Sequence, residues 1–128
     1  MTNARLQKLA SKWQKRLRLQ DWHLAVFFAV TDKSEIDGEY CVGCTDASPM
    51  RKTADIKILE PKLWKHNSRT PGYRGLAKEI ELTLIHEMIH CHFQFKKLPR
   101  SWSVDDFILE NGIESLAIAF FNMYESVN

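Results

Sequence analysis

The sequence predicts an α+β domain, and three observations carry that expectation. Helix-type apolar spacing runs through 4–19, 76–95 and 104–122. Three short segments rich in aromatic and β-branched residues, 22–30, 39–45 and 52–59, fall between the first helix and the second, and Pro, Gly and small polar residues separate them. Successive strands with short links predict a three-stranded antiparallel meander, which the apolar helices then cover. With 128 residues, the chain 1–128 is expected to be one domain with a single core.

The first helix carries Leu6, Leu9, Ala10, Trp13 and Leu17 on one stripe and Arg5, Lys8, Lys12, Lys15, Arg16 and Arg18 mostly around the rest. No acidic residue precedes Asp21, a local excess that could attract nucleic acid. The chain's net charge is only +2, however, and a solvated face is the better reading. The first strand, 22–30, is short and apolar, and His23 within it has no ligand spacing. Asp37-Gly38 marks a turn into the second strand. The third, 52–59, alternates polar and apolar residues and stops at Pro61, as a half-exposed strand does. Leu63 to His66 predicts one helical turn, and 67–75 a loop bordering a cleft, with Tyr73, or Tyr40 in the meander, as candidate oxyanion donors on which no assignment is made.

The chemistry concentrates in Leu84-Ile85-His86-Glu87-Met88-Ile89-His90. On a helix, positions four apart project from one face, so His86 and His90 converge on a point where two imidazoles can bind zinc, with Glu87 close by as a proton acceptor. Between 76 and 95 there is no Pro or Gly, and apolar residues occupy nearly every side. Such a helix is buried, and buried His and Glu need partners, whether a metal or neighbouring polar groups. His92 lies about 200° around the helix from His90 and predicts a capping role near the helix end. Lys96-Lys97-Leu98-Pro99 predicts the stop.

A catalytic zinc takes a third protein ligand and keeps a position for water. In the last helix, opened by Ser103-Val104-Asp105-Asp106, Glu110 and Glu114 are four apart. Either could bind the metal while the other accepts a hydrogen bond from the far nitrogen of a ligand histidine; two solvated carboxylates is the plainer alternative. Gly112 breaks the helix-favouring composition and predicts close packing against the His helix.

Three cysteines make a full disulfide framework unlikely to be the organising principle, and Cys41-Val42-Gly43-Cys44 is a single C-x-x-C without the second pair a zinc ribbon needs. Cys91 points away from the histidine pair and predicts packing.

His86, Glu87, His90 and a later Glu on a separate helix resemble the gluzincin group of zinc metallopeptidases. More narrowly, the chain resembles the small metallopeptidases encoded by phages and prophages. The shared order is a basic N-terminal helix, Leu-Gln-Asp-Trp-His entering a strand, a short strand meander, His-Glu-Met-Ile-His-Cys-His, and a final Glu-Asn-Gly-Ile-Glu-Ser-Leu-Ala helix. The resemblance implies a minimal zincin-like fold, Zn2+ held by His86, His90 and Glu110, Glu114 as hydrogen-bond partner, and Glu87 as general base. It also implies that 52–59 is an exposed edge strand to which a peptide substrate pairs.

The expected function is therefore a zinc-dependent hydrolase acting on peptide bonds. Two rivals are a non-catalytic, zinc-stabilised phage binding protein, which would close all four metal positions with protein ligands, and a protease recruited to nucleic acid by its basic helix. No apolar run reaches the length of a membrane span, and the N-terminus has no secretory pattern, so the expected compartment is the cytoplasm, that of the host if phage-encoded. No Gly-rich phosphate loop offers a competing chemistry.

Overall fold

The computed structural model describes residues 1–30, 42–93 and 104–125, with side chains from 108 onward in the last segment. The Asp37-Gly38 turn, Tyr40, Cys41, the 96–99 stop and the Ser103 cap lie outside the described residues. Within them the order is α1 (Asn3–Arg16), β1 (His23–Ala29), β2 (Gly43–Ser48), β3 (Thr53–Leu59), α2 (Leu76–Ile89) and α3 (Val104–Glu125), with one short 3₁₀ turn at Pro61–Leu63. That turn falls earlier than the 63–66 turn the sequence suggested, because Pro61 presets the dihedral of its first position.

The α+β class holds, but the meander does not. Strand order is β1-β3-β2, with β3 parallel to β1 and antiparallel to β2. The reason lies in which segment can be buried. Strand β3 contributes Ala54, Ile56, Ile58 and Leu59 to the core, whereas β2 reads Gly-Cys-Thr-Asp-Ala-Ser and has little apolar surface to bury. The strand with the most buried residues takes the centre, and polar β2 takes a margin. Residues 52–59 are therefore not an edge: β3 is paired on both sides, and the edge facing away from it belongs to β2.

The opposite margin of the sheet is closed by α1. The Val26 amide donates to Gln7 Oε1 (3.1 Å), Gln7 Nε2 donates to the Leu24 carbonyl (3.2 Å), and the Phe28 amide donates to Asn3 Oδ1 (2.9 Å). Side chains of a helix thus satisfy the outward backbone groups of β1, which would otherwise invite another strand. Thr2 caps α1 by accepting from the Arg5 amide, and Leu6, Ala10 and Trp13 turn its apolar stripe inward. Arg5, Lys8, Lys12 and Lys15 remain on its exposed side.

Helix α2 touches α1, β2, β3 and α3, which is why its apolar residues encircle it. Ile80, Leu84, Ile85, Met88 and Ile89 are essentially inaccessible, and Ile113, Ala117 and Phe121 of α3 close over them. Gly75 begins α2 at φ +101°, a conformation that a β-carbon would strain. Beyond Ile89 the chain tightens into three-residue turns, and the His92 ring bonds the Leu17 carbonyl (2.5 Å). His92 does cap a helix end, but that of α1, whose C-cap is Leu17. Cys91 packs in the core, and His23 is exposed at the start of β1. Among the described residues, no helix is long and apolar enough to cross a membrane.

Gly112 does not mediate close packing. It is exposed, and a β-carbon built there meets nothing within 4 Å, because Ile113 and Ala117 define the inward face of α3. Gly112→Ala is accordingly expected to stabilise the protein by about 1 kcal/mol, the helix-propensity difference, measured as a shift in urea midpoint at constant slope. Destabilisation would mean that the outer face of α3 is covered.

Candidate metal and acid–base site

Helix geometry aligns the two histidines. His90 is the C-cap of α2 and keeps helical dihedrals (φ −56°, ψ −26°), so its ring still lies one turn beyond that of His86, with centroids 5.1 Å apart and planes tilted by 56°. Both imidazoles are nearly enclosed, with side-chain exposures of 12% for His86 and 9% for His90. Burial at that level requires polar partners. Helix α3 supplies them: His86 Nε2 bonds Glu110 Oε1 (2.5 Å), His86 Nδ1 bonds Glu114 Oε2 (2.5 Å), and His90 Nε2 lies 3.3 Å from Glu110 Oε2.

The two glutamates are thereby distinguished. Glu110 reaches both rings, one through each oxygen, whereas Glu114, half exposed, reaches only the far nitrogen of His86. One ligand atom from each of His86, His90 and Glu110 lies within 4.8 Å of the others, a donor set that could hold a metal ion.

Charge follows from this geometry. Burial, the strongest influence on His86, disfavours its imidazolium. The hydrogen bonds to Glu110 and Glu114 and the nearby Glu87 charge outweigh it and lift the group to about 10. Burial likewise opposes ionisation of Glu110, but hydrogen bonds from His86 and His90, with their charges, hold that carboxyl well below its usual range. Cys91, one turn beyond Glu87, is pushed up to about 12 by burial and then by the Glu87 charge, so it remains a thiol.

Glu87 faces the sheet side of α2 and is buried, 5% exposed. Two residues of β2 receive it. The Thr45 hydroxyl is 2.8 Å from Glu87 Oε1 and 2.9 Å from the Glu87 carbonyl oxygen, so its one proton serves either acceptor. Gly43 leaves the space: a β-carbon there would stand 2.8 Å from Glu87 Cγ and Oε2. Gly43, the glycine inside the C-x-x-C segment, is thus part of the seat that holds Glu87.

A cleft of about 530 Å³ opens over this cluster, bordered by Gly43 of β2, His86 and Glu87 of α2, and Glu110 and Glu114 of α3. His66, Arg74 and Glu79 also border it. The His66 ring stacks on Trp64 (4.7 Å), stands edge-on to Tyr73 and has Nε2 3.7 Å from Glu79 Oε1. Tyr73 supports His66 and is not among the residues bordering the cleft.

Thr45, Gly43, His66 and Arg74 did not emerge from the sequence. Only Glu79 carried a signal: it precedes His86 by seven residues, two turns along the same face.

Comparison of the chain with protein-family models, curated proteins and solved structures gave no match, and the site's own geometry therefore carries the interpretation.

Gly43→Ala is expected to push the Glu87 side chain out of its seat and lower stability by about 1–3 kcal/mol, the usual effect of overpacking, read by urea denaturation. A variant as stable as the parent would show that Glu87 does not occupy that seat. The histidine cluster adds a pH dependence to the metal-free protein. Stability from the raised His86 is complete below pH 6.5 and is lost as pH climbs toward 10; that from the lowered Glu110 is complete above pH 4.5 and is lost as pH falls below it. Thermal unfolding should show greatest stability between about pH 4.5 and 6.5, with an alkaline decline that His86→Gln removes. An unchanged decline in that variant would contradict the charged cluster.

Proposed function

We propose that the protein is a zinc-dependent hydrolase, and specifically a metallopeptidase, with His86, His90 and Glu110 as zinc ligands and Glu87 as general base. The observation that carries this reading is the convergence of two imidazole nitrogens and one carboxylate oxygen within 4.8 Å, beside a buried glutamate and at the floor of a cleft.

The residues fit the ion. Atoms coordinating a tetrahedral zinc at about 2.0–2.1 Å lie about 3.3 Å apart, and His90 Nε2 and Glu110 Oε2 are separated by 3.3 Å. His86 Nε2 and Glu110 Oε1 are closer, at 2.5 Å, as a shared proton dictates. Zinc and that proton compete for the same nitrogen, so metal uptake releases a proton. Among the described residues three protein donors converge, and a tetrahedral ion held by them would keep one position for water, unlike a closed structural site.

When bound, zinc acidifies a water and polarises a substrate carbonyl. The remaining work belongs to the chain. Glu87, shielded from bulk solvent and oriented by the Thr45 hydroxyl, accepts the water's proton and delivers it to the departing amine. Glu114 holds Nδ1 of His86 and so directs Nε2 toward Glu110 and His90. The sheet margin open to an extended peptide, among the described residues, is the outer edge of β2. Among the described residues β2 has a strand neighbour only in β3, the other margin of the sheet is occupied by Asn3 and Gln7, and Val42 and Gly43 border the cleft.

Glu87→Gln should bind zinc as the parent does, by elemental analysis, while cleavage of a denatured protein substrate falls by at least about a hundredfold, within the range of general-base loss. His90→Ala should lose the metal itself. Full activity in Glu87→Gln would eliminate the mechanism, and stoichiometric zinc in His90→Ala would eliminate the ligand set.

A further inference from the structure

We propose that Arg74 is the receptor for a substrate carboxylate, so that the cleft selects peptides bearing an acidic side chain or a free C-terminus a few residues from the bond that is cut. The inference rests on the peptidase reading for what happens at the histidine cluster in the same cleft.

Arg74 is held in place without being neutralised. Its Nη1 donates to Asn122 Oδ1 (2.8 Å), and its guanidinium carbon stands 5.6 Å from the centre of the Phe121 ring. Both partners are uncharged. Among the described residues no ion pair includes Arg74, although acids are close at hand. Each of those acids is engaged elsewhere: Glu125 with Lys78 (2.5 Å), Glu79 with His66 (3.7 Å), and Glu110 and Glu114 with His86 (2.5 Å each). An exposed arginine fixed by an amide and an aromatic ring keeps most of its donors for a visitor. Its planar fork matches a carboxylate better than any other group a peptide carries.

Spacing along α3 sets the reach. Asn122, which pins Arg74, and Glu110, the proposed ligand, are twelve residues apart, about 18 Å along a helix axis. An extended peptide covers that distance in five or six residues at about 3.3 Å each. The carboxylate therefore lies within about that reach of the scissile bond. Asp or Glu at that position, or a C-terminus, presents the same chemistry.

The test uses the zinc-loaded full chain carrying Glu87→Gln, which binds without turnover, and fluorescein-labelled peptides of eight residues followed by anisotropy. One series moves a single Glu through an Ala/Ser sequence with an amidated end, and a second compares free and amidated ends in a peptide without acids. A Glu at one position, or a free end, should tighten binding about tenfold or more, as a charge-assisted bidentate contact does. The gain should vanish on adding Arg74→Gln and persist in part with Arg74→Lys. Preference for a placed Glu identifies a side-chain site, and preference for the free end identifies a C-terminal one. Equal gains with and without Arg74→Gln, no gain from any carboxylate, or no binding of any peptide would overturn the proposal. Cleavage of the preferred peptide by the Glu87 protein, followed by mass spectrometry, separates the two readings. Arg74-dependent binding without cleavage removes the peptidase and keeps the receptor; cleavage indifferent to the carboxylate does the reverse.

Discussion

The second half of helix α2 has to be buried, and its polar residues have to be satisfied inside the protein. Leu84, Ile85, Met88 and Ile89 are buried, with His86, Glu87 and His90 among them. Leaving one such group unpaired costs on the order of 1–3 kcal/mol, and more when it is charged. That requirement recruits the surroundings: α3 brings Glu110 and Glu114 to the imidazoles, and β2 brings Thr45 and the bare backbone of Gly43 to the carboxylate. Stability and chemistry are then the same problem, because the partners that make the polar groups tolerable also aim them.

The sheet answers a related constraint. Strand β3 is the most deeply buried of the three and lies at the centre, which places β2 at the margin beside α2. Only that order lets a polar strand meet Glu87. Meanwhile Asn3 and Gln7 of α1 close the β1 margin, so the two edges of one small sheet differ: one is satisfied by side chains, the other borders the cleft.

What the sequence made legible was local. The i, i+4 relation of His86 and His90, the apolar encirclement of α2 and the helical period of α3 depend on residues a few positions apart; both helices begin where the spacing put them, but α2 stops at Ile89, short of residue 95. The pairing of Glu110 with both rings follows from two helices lying together, and the shared spacing of Glu110 and Glu114 narrowed it to two candidates. The strand order was not legible, because successive strands usually pair in sequence and the decision here rests on relative burial across the whole sheet. Gly112 misled for the opposite reason: a glycine in a helix can signal contact or simply absence of constraint, and only the orientation of Ile113 and Ala117 decides. Thr45, Gly43 and Arg74 act across 42, 44 and 48 residues of chain, to Glu87 and Asn122, where no periodicity points.

The central claim is that the buried histidine pair and Glu110 form an open, sulfur-free zinc site although Cys91 follows His90 directly in the chain. X-ray absorption at the zinc edge of the loaded protein addresses it most directly. Two imidazoles, one carboxylate and a further light oxygen donor, with no sulfur scatterer, is the expected spectrum. A sulfur at about 2.3 Å or a third imidazole would contradict it, since either would close the coordination position that the proposed hydrolysis requires.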